Sequence, residues 1–211
     1  MAVRLVLASA SPARLATLRS AGIDPTVSVS DVDEPAVLAR ETAHRPLPAA
    51  EQVLVLARAK ARDVAAQATG DLVLGCDSML ELDGAVHGKP DDAATAVSRW
   101  RAMRGRSGVL HSGHWLVDLR AGREGPALRE VGASSATVVH FADLSDAEID
   151  AYVATGEPLA VAGAFTIDGL GGPFVERIEG DHHGVVGVSL PLLRTLLGEL
   201  DVTITDLWAA G

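Results

Sequence analysis

Short apolar runs alternate with stretches of three- and four-residue periodicity along this chain. That alternation confines it to mixed α/β architectures. The apolar runs at 4–8, 72–76, 113–119 and 136–141 read as strands. Ser11-Pro12 opens a first helix, with Ser at the cap and Pro where no N–H is needed. Leu15 and Leu18 share one face of it, and Gly22 is placed to stop it. Residues 50–68 repeat Ala50, Val53, Leu54, Ala57, Ala61 and Val64 at helical steps, and 92–104 turn Val97, Trp100 and Met103 inward. Ser145 and Glu148 form a capping box ahead of Ile149, Tyr152 and Val153, and Gly156 ends that helix. A last helix spans 190–200, and residues 79–87 read as a hairpin around Asp83-Gly84. Residues 30–48 and 120–126 read as connections, and the glycine-rich 159–188 as loops between short strands. The order is not a strict βαβ repeat, so the expected sheet is mixed.

A chain of 211 residues, 48% hydrophobic and 22% charged, has the balance of a globular protein rather than a disordered one. At about 150 residues per domain it makes one domain or two small lobes; a single domain over 1–211 is expected. Aromatics are only 3%, so Ala, Val and Leu fill the core. The 18 basic and 28 acidic residues leave a net charge of −10, which argues against nonspecific nucleic-acid or anionic-membrane binding. Cys76 is the one cysteine, so no intramolecular disulfide forms, as suits a reducing cytosol. No apolar run reaches the roughly 18 residues of a membrane span. Leu5-Val6-Leu7-Ala8 is too short for a signal-peptide core. A cytoplasmic location is expected.

Several positions offer chemistry. Ser9 and Ser11 fall between a strand and a helix start, where free N–H groups attract anions, and Arg14 adds a planar fork for phosphate. An ordinary capped helix with a surface arginine reads the same way. Asp31, Asp33 and Glu34 are oxygen ligands for a hard cation or a solvated acidic loop. Lys60 lies on the apolar stripe of 50–68, to snorkel or to meet an anion in a cleft. Asp77 comes off the end of an apolar strand, placed to hold a metal or take a proton from water, or else to cap a turn. Ser78 or Cys76 as nucleophile lacks a histidine at motif spacing. Pro90 holds Lys89 extended and so aims its ammonium, though a solvated loop lysine has the same pattern. His111, His114, His182 and His183 fit no zinc-type spacing and read as surface or turn residues. Phe165, Phe174 and Trp208 read as core, and the glycines at 169, 171 and 172 as turns or points of close approach to a ligand. Cations for phosphate together with acids for a divalent ion make up the equipment of phosphoanhydride hydrolysis.

The ordered set Leu5-Val6-Leu7-Ala8-Ser9-Ala10-Ser11-Pro12 with Arg14, Val32-Asp33-Glu34, Ala57-Arg58-Ala59-Lys60-Ala61, Gly75-Cys76-Asp77-Ser78 and Gly88-Lys89-Pro90 resembles the Maf family of nucleoside triphosphate pyrophosphatases. Tyr152-Val153, Gly156-Glu157-Pro158, Ala162-Gly163-Ala164-Phe165 and Val185-Val186-Gly187 complete it, in family order from residue 4 to about 197. The resemblance implies an α/β fold with a mixed sheet, flanking helices and a central cleft, similar to the inosine-triphosphate pyrophosphatase fold. It implies hydrolysis of nucleoside triphosphates to monophosphate and pyrophosphate, clearing surplus or noncanonical nucleotides, with Mg or Mn as divalent cation. By the same resemblance Asp77 is the proton acceptor and a metal ligand, Glu34 the second metal ligand, and Ser9, Ser11, Arg14, Lys60 and Lys89 the phosphate contacts. A homodimer is implied as well.

The chain departs from the family pattern at four places. Ala13 replaces the first of two arginines, Ser78 a usual threonine, and Gly184 a usual asparagine. Asp168 stands near a glutamine that members acting on dTTP and UTP carry. An ionised carboxylate accepts hydrogen bonds and donates none, so Asp168 suits a base N–H such as guanine offers better than a pyrimidine carbonyl. Two other readings remain: a weakly catalytic nucleotide-binding regulator of cell division, and another metal-dependent phosphoanhydride hydrolase.

Overall fold

The computed structural model describes residues 3–121 and 128–208. Its elements in chain order are β1 (Leu5–Ala8), α1 (Pro12–Ser20), β2 (Thr26–Val27), α2 (Glu34–Thr42), α3 (Ala49–Ala65), β3 (Leu72–Leu82) and β4 (Ala85–His87). There follow α4 (Ala93–Met103), β5 (Ser107–Asp118), β6 (Arg129–Phe141), α5 (Asp146–Ala154), β7 (Val175–Glu179), α6 (His182–Val186) and α7 (Leu190–Glu199). The strands form one seven-stranded mixed sheet in the order β2-β1-β3-β5-β6-β7, with β4 also on β3. The β1 pairings are parallel and the rest antiparallel.

Most helices lie where the periodicity places them. Asp83 and Gly84, at φ 51° and 77°, make the two-residue turn of the β3–β4 hairpin. Elsewhere the structure corrects the sequence reading. Residues 34–42 are helical, not loop: the Asp33 side chain accepts from the Ala36 N–H, and Pro35 sits in the first turn. The helix escaped notice because none of its residues is fully buried; only Val37 and Leu38 pack on the Val53–Leu56–Met79 cluster. β3 does not stop at Cys76 but runs through Asp77 and Ser78 to Leu82. β5 and β6 begin earlier than their apolar cores, because alternate residues at the start of β5, and every residue of β6 before Thr137, are only half-buried or exposed. The 159–188 region holds one strand, the short helix α6 and three single 3-10 turns rather than several strands. The expected connector at 122–127 lies outside the described residues.

The sheet separates two sets of apolar contacts. On one face α3 packs Ala61, Val64 and Ala65 against Val6, Ala8, Val73 and Val117. On the other, α1 and α7 cover Leu5, Leu7, Leu74 and Leu116, while α4 and α5 cover Leu80, Leu110 and Phe141 around Trp100. Trp208 is not part of these clusters: it is 49% exposed, with its ring lying over Gly22.

The approach of α3 is unusually close. A Cβ at Gly75 would lie 2.1 Å from the Ala57 carbonyl oxygen, and one at Gly113 2.4 Å from that of Val53. Both obstacles are helix backbone, which cannot swing aside. Gly75→Ala is therefore expected to lower stability by about 1–3 kcal/mol, as overpacked cores do. Gly198→Ala, in α7 with nothing near its added methyl, is expected to raise it by about 0.4–1 kcal/mol. Urea denaturation of the two variants checks the contrast.

Candidate active site

The long strand β3 is flanked along Leu72–Glu81 by β5, but its other edge is covered only in part. There β1 pairs with it up to Gly75, opposite Ala8, and β4 resumes at Leu80, opposite His87. Among the described residues, 76–79 have no strand neighbour on that side, and Asp77 lies in this notch. The chain leaves β1 into Ser9 and α1 at one lip of the notch. At the other it leaves β4 into Gly88 and Lys89. The sequence reading placed Asp77 at a strand end; the structure places it mid-strand, at a break in the neighbouring strand.

Side chains alternate across a strand. Gly75 and Asp77 face α3, while Cys76 and Ser78 face the opposite layer. The two glycines bring α3 down onto the sheet, and Lys60, on its buried stripe, reaches Asp77. Lys60 Nζ donates to Asp77 Oδ1 at 2.7 Å and pairs with Glu34 Oε1 at 2.8 Å. Lys60 is 9% exposed and Asp77 7%, so the lysine meets an anion rather than snorkelling. Burial pushes the Asp77 carboxyl above its ordinary range, against the pull of Lys60 and Arg14. Among the described residues Asp77 Oδ2 and Glu34 Oε2 make no hydrogen bond, so each carboxylate keeps an oxygen available as a ligand. The other two acids of the early cluster do different work. Asp33 caps α2, and the backbone N–H of Asp31 donates to Asp63.

On the opposite layer, Arg14 projects from α1 across the notch. Its Nη1 donates to Ser9 Oγ (3.0 Å) and the Cys76 carbonyl (2.9 Å), Nη2 to Ser78 Oγ (3.1 Å), and Nε to the Gly187 carbonyl (3.1 Å). A guanidinium has five N–H donors, so four are engaged and one on Nη2 remains. Ser9 Oγ also accepts from the Ser11 N–H, and Ser11 caps α1 through the Arg14 N–H. Cys76 is fully buried, and burial pushes its thiol up to about 11, which leaves it inert as a nucleophile.

Direct contacts thus form two groups, Ser9, Ser11 and Arg14 with Ser78 and Ser112 on one layer and Lys60, Asp77 and Glu34 on the other, which meet where Arg14 donates to the carbonyl of Cys76, the neighbour of Asp77. Lys89 and Asp168 are exposed and make no hydrogen bond to either group among the described residues. Lys89 is nonetheless held at its base. The Gly88 carbonyl accepts from Arg99 Nη1 at 2.7 Å and from the Gly163 N–H at 3.1 Å. Asp168 rides on a loop gathered by Glu157, which accepts from Tyr152, Thr166 and the N–H groups of Leu170 and Gly171. Gly169 and Gly171 thereby make their close approach to Glu157 and Tyr152 rather than to open space. Glu157 was visible in the sequence only as part of a motif; nothing in its spacing announced four donors.

Two histidines overturn the surface expectation. His111, on β5, pairs with Glu81 at 2.9 Å. His114 is completely buried, donating from Nδ1 to the Ser112 carbonyl and accepting at Nε2 from the Ser189 N–H. Adjacent apolar residues hid it, because a buried imidazole shows in sequence only through partners that lie far along the chain. Burial, and then Arg14, push its pKa down to about 4 from 6.5. The unfolded chain therefore binds this proton first, so the stability is complete above about pH 6.5 and is lost as pH falls toward 4. Between pH 7.5 and 5 the loss through this group is about 2 kcal/mol. His114→Gln is expected to show a correspondingly flatter fall in urea-unfolding free energy over that range.

Comparison with known proteins places this geometry. The family model described as Maf-like protein matches residues 4–200. A protein of Salinispora tropica named nucleoside triphosphate pyrophosphatase is 60% identical over 214 residues, covering 99% of this chain and 89% of the relative. Proteins of the same name from Leifsonia xyli subsp. xyli and Streptomyces coelicolor are each 56% identical, over 98% of this chain and 97% and 95% of their own lengths. With the family model matched over residues 4–200 and these relatives over nearly their whole length, the chain belongs to the Maf-like protein family.

Proposed function

We propose that the protein is a nucleoside triphosphate pyrophosphatase, hydrolysing the α–β phosphoanhydride bond to give a nucleoside monophosphate and pyrophosphate. The observation that carries this reading is the bridge of buried Lys60 between buried Asp77 and exposed Glu34, set where β3 lacks a strand neighbour. The names and near-complete coverage of the relatives support it.

Asp77 takes the proton of the attacking water. Burial raises its basicity, and Lys60 keeps it ionised and fixed in direction. The α1 N-terminus with Ser9 and Ser11, the remaining N–H of Arg14 and the Lys60 and Lys89 ammoniums face the phosphates. There they offset negative charge as it builds on departing pyrophosphate. Glu34 and Asp77, each with one uncommitted oxygen, suit a small hard cation, which commonly takes one or two carboxylates and completes its shell with phosphate oxygens and water. Mg or Mn held there supplies charge neutralisation at the phosphates. Clearance of surplus or noncanonical nucleotides is the cellular purpose this chemistry fits. Asp168, an acceptor on an exposed loop, is proposed to contact a base N–H.

Release of pyrophosphate from a panel of nucleoside triphosphates with Mg or Mn tests the reading. Asp77→Asn is expected to lower turnover by about 10²–10⁴-fold while leaving the fold intact. Lys60→Met, which strands a buried carboxylate, is expected to cost about 3–5 kcal/mol of stability as well as activity. Orthophosphate as the product would instead identify a different phosphoanhydride hydrolase, and tight binding without turnover a regulator.

A further inference from the structure

α6 and the turn that leads to α7 are fastened at three points, two on β5 and one on α1. The Gly184 carbonyl accepts from Ser112 Oγ at 2.8 Å, the Gly187 carbonyl from Arg14 Nε at 3.1 Å, and the Ser189 N–H donates to His114 Nε2 at 2.8 Å. Ser112 and His114 are two apart on β5, on the face turned away from α3, and neither is exposed at all. Ser112 Oγ also lies 2.8 Å from Ser78 Oγ, the hydroxyl that accepts from Arg14 Nη2.

The proton directions in this group are fixed by its ends. A guanidinium only donates and a carbonyl only accepts. Arg14 therefore donates to Ser78, Ser78 to Ser112, and Ser112 to Gly184. The chain from Gly184 to Gly187 returns to Arg14, which closes a ring. His114 needs Nε2 as an acceptor for Ser189, so its proton is on Nδ1 and goes to the Ser112 carbonyl. Every polar atom of Ser112 is thus committed inside the protein, and none is available to a ligand.

Resting on the hydrolase reading above, we propose that Ser112 is a positioning residue for the reaction: it sets the direction of the Ser78 hydroxyl and, through the α6–α7 turn, holds the Arg14 guanidinium so that its remaining N–H faces the notch. Without the Ser112 hydroxyl, Ser78 is free to turn its proton outward, the Gly184 carbonyl loses its donor, and Arg14 loses a polarised acceptor. Cooperative chains of this kind act as units, so their members do not contribute additively.

The test is steady-state pyrophosphate release by the full chain and by Ser112→Ala, Ser112→Thr, Arg14→Lys and the Ser112→Ala/Arg14→Lys double variant. Ser112→Ala is expected to lose about tenfold in kcat/KM, the scale of about one hydrogen bond lost from the chain that holds Arg14. Ser112→Thr, which keeps the hydroxyl, is expected within about threefold of wild type, and the double variant within about threefold of Arg14→Lys alone. Wild-type kcat/KM in Ser112→Ala, or losses that multiply in the double variant, overturns the proposal; a merely structural serine gives the second result. Should Ser112→Ala not fold, Ser112→Cys, with similar volume and a weak donor, is read against the same limits. Affinity for an α,β-methylene nucleoside triphosphate, measured by calorimetry, is expected to fall about tenfold in Ser112→Ala as well. If wild type binds this analogue but releases no pyrophosphate from any substrate, the hydrolase reading fails, and the affinity comparison alone decides the role of Ser112. Absence of binding by the wild type overturns both.

Discussion

The contact on which the rest of the site depends is the buried pair of Lys60 and Asp77. Removing two charges from water is costly, and their attraction repays it only when the geometry is close and other hydrogen bonds help. The protein meets that condition by bringing a whole helix down on the sheet. Gly75 and Gly113, on neighbouring strands, are the places where a side chain would prevent it. A Cβ at either would lift α3, lengthen the 2.7 Å contact and leave a carboxylate buried alone. The packing of small residues against helix backbone and the electrostatics of the site are therefore one design problem.

Strand alternation explains how one short stretch serves two purposes. Asp77 turns toward α3 and its lysine; Cys76 and Ser78 turn toward α1, α6 and α7. Asp77 is a carboxylate held by charge, while the Ser78 side is a relay of hydroxyls held by hydrogen bonds. The missing strand neighbour between Gly75 and Leu80 leaves both at a break in the sheet edge. An uninterrupted β1 would cover these residues, and a shorter β3 would not carry them past the end of β1. The site exists because β3 is long and its neighbours on one side are short.

Local patterns made much of this legible in the sequence. The Asp83-Gly84 turn, the Ser145–Glu148 capping box and the periodic helices follow from rules that act over four residues or so. What escaped were features whose meaning depends on remote partners. Asp77 and Ser78 looked like the end of a strand because polar residues interrupt an apolar run; Lys60, 17 residues away, and Arg14 make them strand interior. α2 was missed because its contact with the core is a narrow one through Val37 and Leu38. His114 has its partners at Ser112 and Ser189, the second 75 residues on. The family motifs name the residues found in these contacts, but not which layer each one faces. They were also silent on the engagement of the Arg14 fork by four protein oxygens.

The cation inventory bears on the same question. All but two of the chain's 18 basic residues are arginines, and the two lysines are Lys60 and Lys89. Arginine serves on the surface, where Arg4, Arg19, Arg62, Arg106, Arg129 and Arg177 pair with carboxylates. Such exposed pairs contribute little to stability, and a lysine would serve as well. At residue 60 the requirement differs. A single nitrogen has to fit between two carboxylates under a helix that touches the sheet, which a compact ammonium does and a planar fork does not. Lysine is thus kept where its shape matters, in a chain that otherwise uses arginine. A net charge of −10 then repels a polyphosphate only over the distance that salt fails to screen, about 8 Å at physiological ionic strength. Inside that distance the local cations at the notch govern what binds.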